Sequence, residues 1–151
     1  MNNAHSQHAG TSARKQVYFI LPSLKNTVQA AVLAAMLEGR ALTGMDAVQG
    51  EHTTRLSAVI HRLEKHFGWH IDRRDTAVGT TDGRVAWVRA YWLSQDTRAA
   101  AFDAGARQWV EGVKHARTRL RKTAPKRTAE AARINAMRGI DPRQMDLWGA
   151  A

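Results

Sequence analysis

The sequence predicts a mainly α-helical fold that carries one small β-hairpin and ends in a long helix. Three observations lead there. Apolar residues recur at helical spacing in three short segments between residues 27 and 66, each opened by a capping residue and closed by a glycine or a turn. Two later segments, one on each side of Asp82-Gly83, read as the arms of a hairpin, with large apolar residues alternating with polar ones or enriched in aromatic and β-branched types. Phe102, Ala106, Trp109, Val113, Ala116 and Leu120 then follow at intervals of 4, 3, 4, 3 and 4 residues, a 3.5-residue stripe of the kind that packs against another helix.

Taken in order, residues 1–16 are small and polar without periodicity, which predicts a disordered N-terminal arm. They lack the apolar stretch of a secretory leader. Residues 17–93 are expected to form one domain. Its first segment, Val17 to Leu21, is an apolar run stopped by Pro22, either a strand or a buried arm. Asn26 or Thr27 caps a first helix that reaches about Glu38 and places Val28, Ala31, Val32, Ala35 and Met36 on one side, and Gly39 ends it. Thr43 caps a short second helix, and Gln49-Gly50-Glu51-His52 is read as a turn. Thr53 caps a third helix from Thr54 to about His66, ended by Phe67-Gly68. Trp69 to Arg73 is the first strand, residues 74–84 the connecting loop, and Val85 to Leu93 the second strand.

Beyond the hairpin, Ser94 caps a helix of about residues 94–122. Its apolar stripe either docks on its own domain or pairs with a second copy, a homodimer through residues 102–120. Ala124-Pro125 is expected to break the chain. Residues 123–151 then form a basic tail with a short helix at about 128–138 and a terminal peptide.

Composition narrows the function classes. A chain of 151 residues, 44% hydrophobic and 24% charged, can bury one real core. It has no apolar run of about 18 residues, so no membrane span is expected. The absence of cysteine excludes disulfides, thiolate metal sites and a cysteine nucleophile, and fits a reducing bacterial cytosol. His61 and His66 are five apart, off the one-face spacing of a helical metal pair. No glycine-rich phosphate loop, nucleophile elbow or carboxylate pair with a basic partner occurs. The expectation is a non-enzymatic protein without metal or cofactor.

Charge supplies the positive signal. Lys and Arg number 23 against 13 Asp and Glu, a net +10, and the isoelectric point is near 11.0. Such an excess points to a polyanionic partner, above all nucleic acid. It is uneven: residues 27–93 hold eight basic and seven acidic groups, whereas residues 94–151 hold twelve and six.

Three helices followed by a two-stranded hairpin is the order of a winged helix-turn-helix, in which the third helix enters the major groove of duplex DNA. The third helix has the two faces this requires. At about 100° per residue, Leu56, Val59, Ile60 and Leu63 fall on one side, and Thr54, Ser57, Ala58, His61 and Lys65 on the other, flanked by Arg55 and Arg62. Thr54, Arg55, Ser57 and Ala58 are expected nearest the base edges, Arg55 as a bidentate guanine contact. Thr53 and the first backbone amides are expected to hold a phosphate. His61, Arg62 and Lys65 lie farther along, the latter two as backbone contacts. Arg73, Arg74 and Arg84 are placed at the base of the wing. A solvated amphipathic face is the alternative for the same residues.

The phrases Leu42-Thr43-Gly44-Met45-Asp46-Ala47 and Thr54-Arg55-Leu56-Ser57-Ala58-Val59-Ile60-His61-Arg62-Leu63 resemble the small helix-turn-helix domain of phage, prophage and plasmid proteins, over about residues 27–93. The resemblance implies DNA binding on a mobile element, in control of transcription or replication. The Lys65-His66-Phe67-Gly68-Trp69 turn and the long basic C-terminal extension depart from that pattern.

The extension carries two further signals. Lys114, Arg117, Arg119, Arg121, Lys122, Lys126, Arg127 and Arg133, with Glu130 the one acid among them, are expected to add phosphate contacts, Lys122 foremost. Gln144-Met145-Asp146-Leu147-Trp148 resembles the peptide by which bacterial proteins bind the replicative sliding clamp, with Leu147 and Trp148 entering an apolar pocket and Gln144 hydrogen bonding. A tail folded back to bury Leu147 and Trp148 is the alternative, and a module that captures the clamp or another host factor is the rival functional class.

Overall fold

The structure, a computed structural model, describes residues 19–138. At its centre lies α1 (Val28–Leu37), whose residues from Ala30 to Leu37 are all buried. The expected one-sided stripe is therefore too narrow a reading from Ala30 on, where the helix is apolar all round, while Val28, placed in that stripe, is 39% exposed. Thr27 caps it by accepting from the Ala30 amide at 3.2 Å. At its other end the Arg98 guanidinium donates to the Leu37 carbonyl at 2.9 Å. Gly39 follows with φ +93, and a Cβ there would lie 2.8 Å from that guanidinium. Only glycine meets both demands.

α2 (Gly44–Glu51) opens with a capping box: the Thr43 hydroxyl accepts from the Asp46 amide, and the Asp46 carboxylate accepts from the Thr43 amide at 2.9 Å. The turn expected at residues 49–52 is absorbed into this helix. Only His52 leaves it, in the left-handed region at φ 55. α3 (Leu56–Phe67) starts at Leu56, two residues later than expected, and Gly68 ends it at φ 69. Thr53 does not cap it: its hydroxyl accepts from the Arg55 amide at 3.1 Å, a local turn ahead of the helix.

The second strand of the hairpin lies where expected, and the first is displaced. β1 (Asp72–Gly79) and β2 (Val85–Trp92) pair antiparallel from Asp72↔Trp92 to Gly79↔Val85. Trp69 and Ile71, expected in the first strand, are core residues ahead of it, 2% and 3% exposed. Residues 74–79, expected as loop, extend the ladder, helped by Thr76↔Val88 and by Arg89 Nε, which donates to the Asp75 carboxylate at 2.8 Å. The connection shrinks to Thr80–Arg84, with Gly83 at φ +83. Leu42 adds a bridge to Tyr91 on the far side of β2, exchanging backbone bonds of 2.8 and 2.9 Å.

The long helix is also redivided. α4 (Gln95–Asp103), capped by Ser94, stops before Gly105 at φ +90, and α5 (Ala106–Arg138) runs on for 33 residues. The break expected at Pro125 does not occur. The helix passes through it, and the stretch around it is exposed, so water can serve the carbonyl that loses its donor. The apolar stripe divides between the two helices. Ala106, Trp109, Val113 and Ala116 are buried in the chain's own core, while Leu120 stays 47% exposed. Of the two alternatives the fold takes self-docking, and most of the stripe assigned to a homodimer through residues 102–120 is consumed.

The Phe19–Pro22 segment forms no strand and lies as an arm against the core, with Pro22 buried, Phe19 and Leu21 half-buried and Ile20 63% exposed. Phe19 stacks on Trp69 at 4.4 Å between ring centroids. The Trp69 indole donates to the Ile20 carbonyl at 2.9 Å, and the Trp109 indole donates to the Pro22 carbonyl at 2.8 Å. A second tie is ionic: the buried Glu51 carboxylate receives Arg117 at 2.7 Å and Arg40 at 3.3 Å, and Arg117 also donates to the Gly50 carbonyl at 2.9 Å. It fixes α5 to the end of α2.

Trp69→Ala removes the stack and leaves a cavity in the core. It is expected to cost about 3–5 kcal/mol in urea unfolding followed by circular dichroism. The capping box gives a pH signature. Hydrogen bonds from the Thr43 hydroxyl and amide hold the Asp46 carboxyl below its usual 3.8. Its contribution is present above that value and is lost as pH falls through the lower folded pKa. Asp46→Asn is expected to cost about 1 kcal/mol at pH 7, and the difference from wild type should shrink in unfolding curves taken below about pH 4.

Candidate nucleic-acid interface

α3 separates into the two faces that its sequence predicts. Leu56, Ile60 and Leu63 are buried and Val59 half-buried, while Ser57, Ala58, His61, Arg62 and Lys65 are exposed. Thr54 and Arg55 are exposed just ahead of the helix, and Thr53 is half-buried. No side chain caps the helix at Arg55; the Ala58 amide donates to the Arg55 carbonyl at 3.1 Å, and the Leu56 and Ser57 amides are left to solvent or to an anion. Thr53, Arg55, Ala58, Val59 and Arg62 form one wall of an open groove, whose other wall is Leu24, Thr27, Val28 and Gln29. Thr27 and Val28 also line a neighbouring cavity with His52, Arg117, Leu120 and Arg121 of α5.

The wing arginines are placed differently from their expected position. Arg73 and Arg74 lie within the first residues of β1, paired with Tyr91 and Ala90. Arg84 is at the tip of the hairpin. Arg73 is ion-paired with Glu64 of α3 and lies 5.8 Å from the Tyr91 ring centre. Arg74 lies 6.0 Å from the Trp92 ring centre. Arg84 pairs with Asp82 at 2.6 Å. Bonds from Arg84 hold the Asp82 carboxyl below its ordinary value, and bonds from Arg89 do the same for Asp75. Arg73, Arg84 and Arg89 are therefore each answered by a carboxylate of the same chain.

Sequence reading missed Trp87. It is 74% exposed, beside Val85 at 71%. Their cross-strand partners Ala77 and Gly79 are too small to cover them. The signal lay in the register: once β1 is moved to residues 72–79, Trp87 falls opposite alanine.

Lys122 is exposed on α5. The clamp-like peptide Gln144, Met145, Asp146, Leu147 and Trp148 lies outside the described residues, as does the expected N-terminal arm. Among the described residues no group of three or more histidine, aspartate or glutamate side chains is placed to hold a metal, and no helix is long and apolar enough to cross a membrane.

Three helices, a bridging residue at Leu42 and a β-hairpin wing make this a winged helix-turn-helix followed by two C-terminal helices. Residues 27–95 match a family described as the winged helix-turn-helix domain. No curated protein and no solved structure matches the chain. The helix-turn-helix is a motif whose second helix commonly enters the major groove of DNA, which suggests DNA binding here.

Proposed function

We propose that the protein reads duplex DNA by inserting the amino end of α3 into the major groove, and that it regulates transcription or replication on a phage, prophage or plasmid. The observation that carries the reading is the α3 surface itself: an uncapped helix start, with Arg55, Ser57, Ala58, His61, Arg62 and Lys65 exposed together and the opposite side sealed in the core. Arg55 and Ser57 are the base-reading candidates, Ala58 permits close approach or a thymine methyl contact, and His61 faces the same way. Arg62 and Lys65 position the helix on phosphates, with Thr53 and Thr54 at its entrance.

The wing has a lesser part in this reading. Arg73 and Arg84 must exchange an internal carboxylate for a phosphate, a nearly balanced trade, and Arg74 is the wing cation best able to reach DNA. Lys122 and its neighbours on α5 supply contacts that do not depend on sequence. The mobile-element setting is supported by the resemblance carried by residues 42–47 and 54–63.

Selection from random duplexes by the intact chain, at two salt concentrations, tests the reading. A recovered motif is expected. Arg55→Ala should cost about 1–3 kcal/mol on that motif and blur one of its positions. Recovery of no motif, or a motif that Arg55→Ala leaves sharp, would overturn the role given to α3. Arg84→Ala is expected to lower affinity less than threefold in the same assay, because Asp82 already answers its charge. A loss as large as that of Arg55→Ala would show instead that the wing tip dominates.

A further inference from the structure

The surface beside the start of α3 is apolar at its floor and cationic at its rim. Three hollows meet there: the groove between α3 and Leu24, the cavity at Thr27 and His52, and a third bounded by Lys25, Arg119 and Leu120. Leu24 lines the first and third, Val28 the first and second, and Leu120 the second and third, so the three form one continuous depression. Its floor is these side chains, 66%, 39% and 47% exposed in that order. Arg55 and Arg62 line it at α3, Arg119 and Arg121 at α5, with Lys25 beside Leu24. Among the described residues none of these cations is ion-paired. The one acid in the lining, the buried Glu51, is already answered by Arg40 and Arg117.

Duplex DNA has a use for this rim but not for the floor, since large apolar side chains gain nothing from phosphates. Contiguous exposed apolar surface marks a seat for another protein segment. Two segments of the chain lie outside the described residues. Residues 1–18 contain no acid and do not complement the rim. Residues 139–151 contain Asp141 and Asp146 against the single Arg143, and Asp146 directly precedes Leu147 and Trp148. An acid beside two large apolar anchors is the complement of an apolar floor with a cationic rim.

The reach suffices. From Leu120 to Arg138, the last residue of α5, is 18 residues, about 27 Å of helix at 1.5 Å per residue. The nine residues from there to Leu147 span about 30–32 Å when fully extended, at ~3.3–3.6 Å each. A tail run back along α5 thus brings Leu147 to Leu120 and Trp148 toward Leu24 and Val28.

We infer that this depression is the seat of the chain's own terminal peptide, with Leu147 and Trp148 on the floor and the Asp146 carboxylate beside the α5 arginines. Seated there, the peptide obstructs the approach to Arg55 and Arg62, so tail and duplex exclude each other and the chain restrains its own DNA binding. The exclusion rests on the reading of α3 as the DNA-binding face; the seat itself does not.

The chain has no cysteine, so Ala150→Cys gives a single point for a nitroxide label. In the full chain the label is expected to broaden the amide resonances of Leu24, Val28 and Leu120. Two variants remove the contact from opposite sides. Leu147→Ala with Trp148→Ala takes away the anchors, and Leu120→Gln takes away part of the floor while keeping a good helix former. Each is expected to abolish the broadening. Each should also raise affinity for the selected motif about three- to tenfold, as the loss of a tail seated about 70–90% of the time requires. Combined, they should give no further gain, because they break the same contact.

A label that leaves all three resonances sharp would overturn the inference. So would variants that bind the motif no better than wild type. Broadening in a mixture of labelled chain with separate, unlabelled, isotope-enriched chain would put a second copy's tail in the groove and overturn it as well. None of these disturbs the α3 reading, which fails by its own sign: motif binding indifferent to Arg55→Ala.

Discussion

Everything in this molecule is arranged around a short helix whose last eight residues have no solvent face. From Ala30 to Leu37, α1 is buried on every side, and four of those eight residues are alanine. Small side chains let α2, α3 and α5 come close to one short axis, and the larger Val32, Leu33, Met36 and Leu37 fill the spaces between them. A helix so enclosed can exist only if its neighbours are held in place independently. The capping box of α2, the Arg98 bond to the Leu37 carbonyl and the two tryptophan indoles that grip the Phe19–Pro22 arm do this. The recognition face of α3 is a consequence: with Leu56, Ile60 and Leu63 committed to α1, the opposite side must point outward.

Electrostatics divides the chain differently from its folding. Within the winged domain, charges are answered locally: Arg73 by Glu64, Arg84 by Asp82, Arg89 by Asp75, Arg40 by Glu51. Apart from the pair to the buried Glu51, these pairs are largely exposed and add little stability. Their effect is to leave the wing nearly neutral, so that its surface is marked by Trp87 and Val85 more than by charge. The unanswered cations collect on the recognition helix and on the projecting half of α5. The same chain thus joins a compact reading head to a basic rod, and the buried Glu51, meeting Arg117 across α2 and α5, sets the angle between them.

Much of this was legible in advance because it depends on neighbours in sequence. Thr27 and Thr43 as caps, Gly39 and Gly68 as stops, Asp82-Gly83 as the turn, and the inner face of α3 all follow from local rules. The errors share one cause. Trp69 and Ile71 alternate like a strand, yet the core claims both and the pairing starts beyond them. Thr53 has the composition of a cap, yet its hydroxyl is spent on Arg55. Pro125 has the composition of a break, yet it sits where the helix has nothing to pack against and water can satisfy the carbonyl it orphans.

By itself the sequence determined the class of fold, the order of its elements, the inner and outer faces of α3 and the excess of positive charge, since these rest on periodicity, capping and composition. The tertiary structure alone decided which residues share a surface. It sent most of the 3.5-residue stripe into the chain's own core, moved the start of the first wing strand from Trp69 to Asp72 and left Trp87 uncovered. The reason is physical: a side chain's neighbours across 40 to 80 residues are chosen by competition for one small core, and that competition has no signature in any local window of sequence.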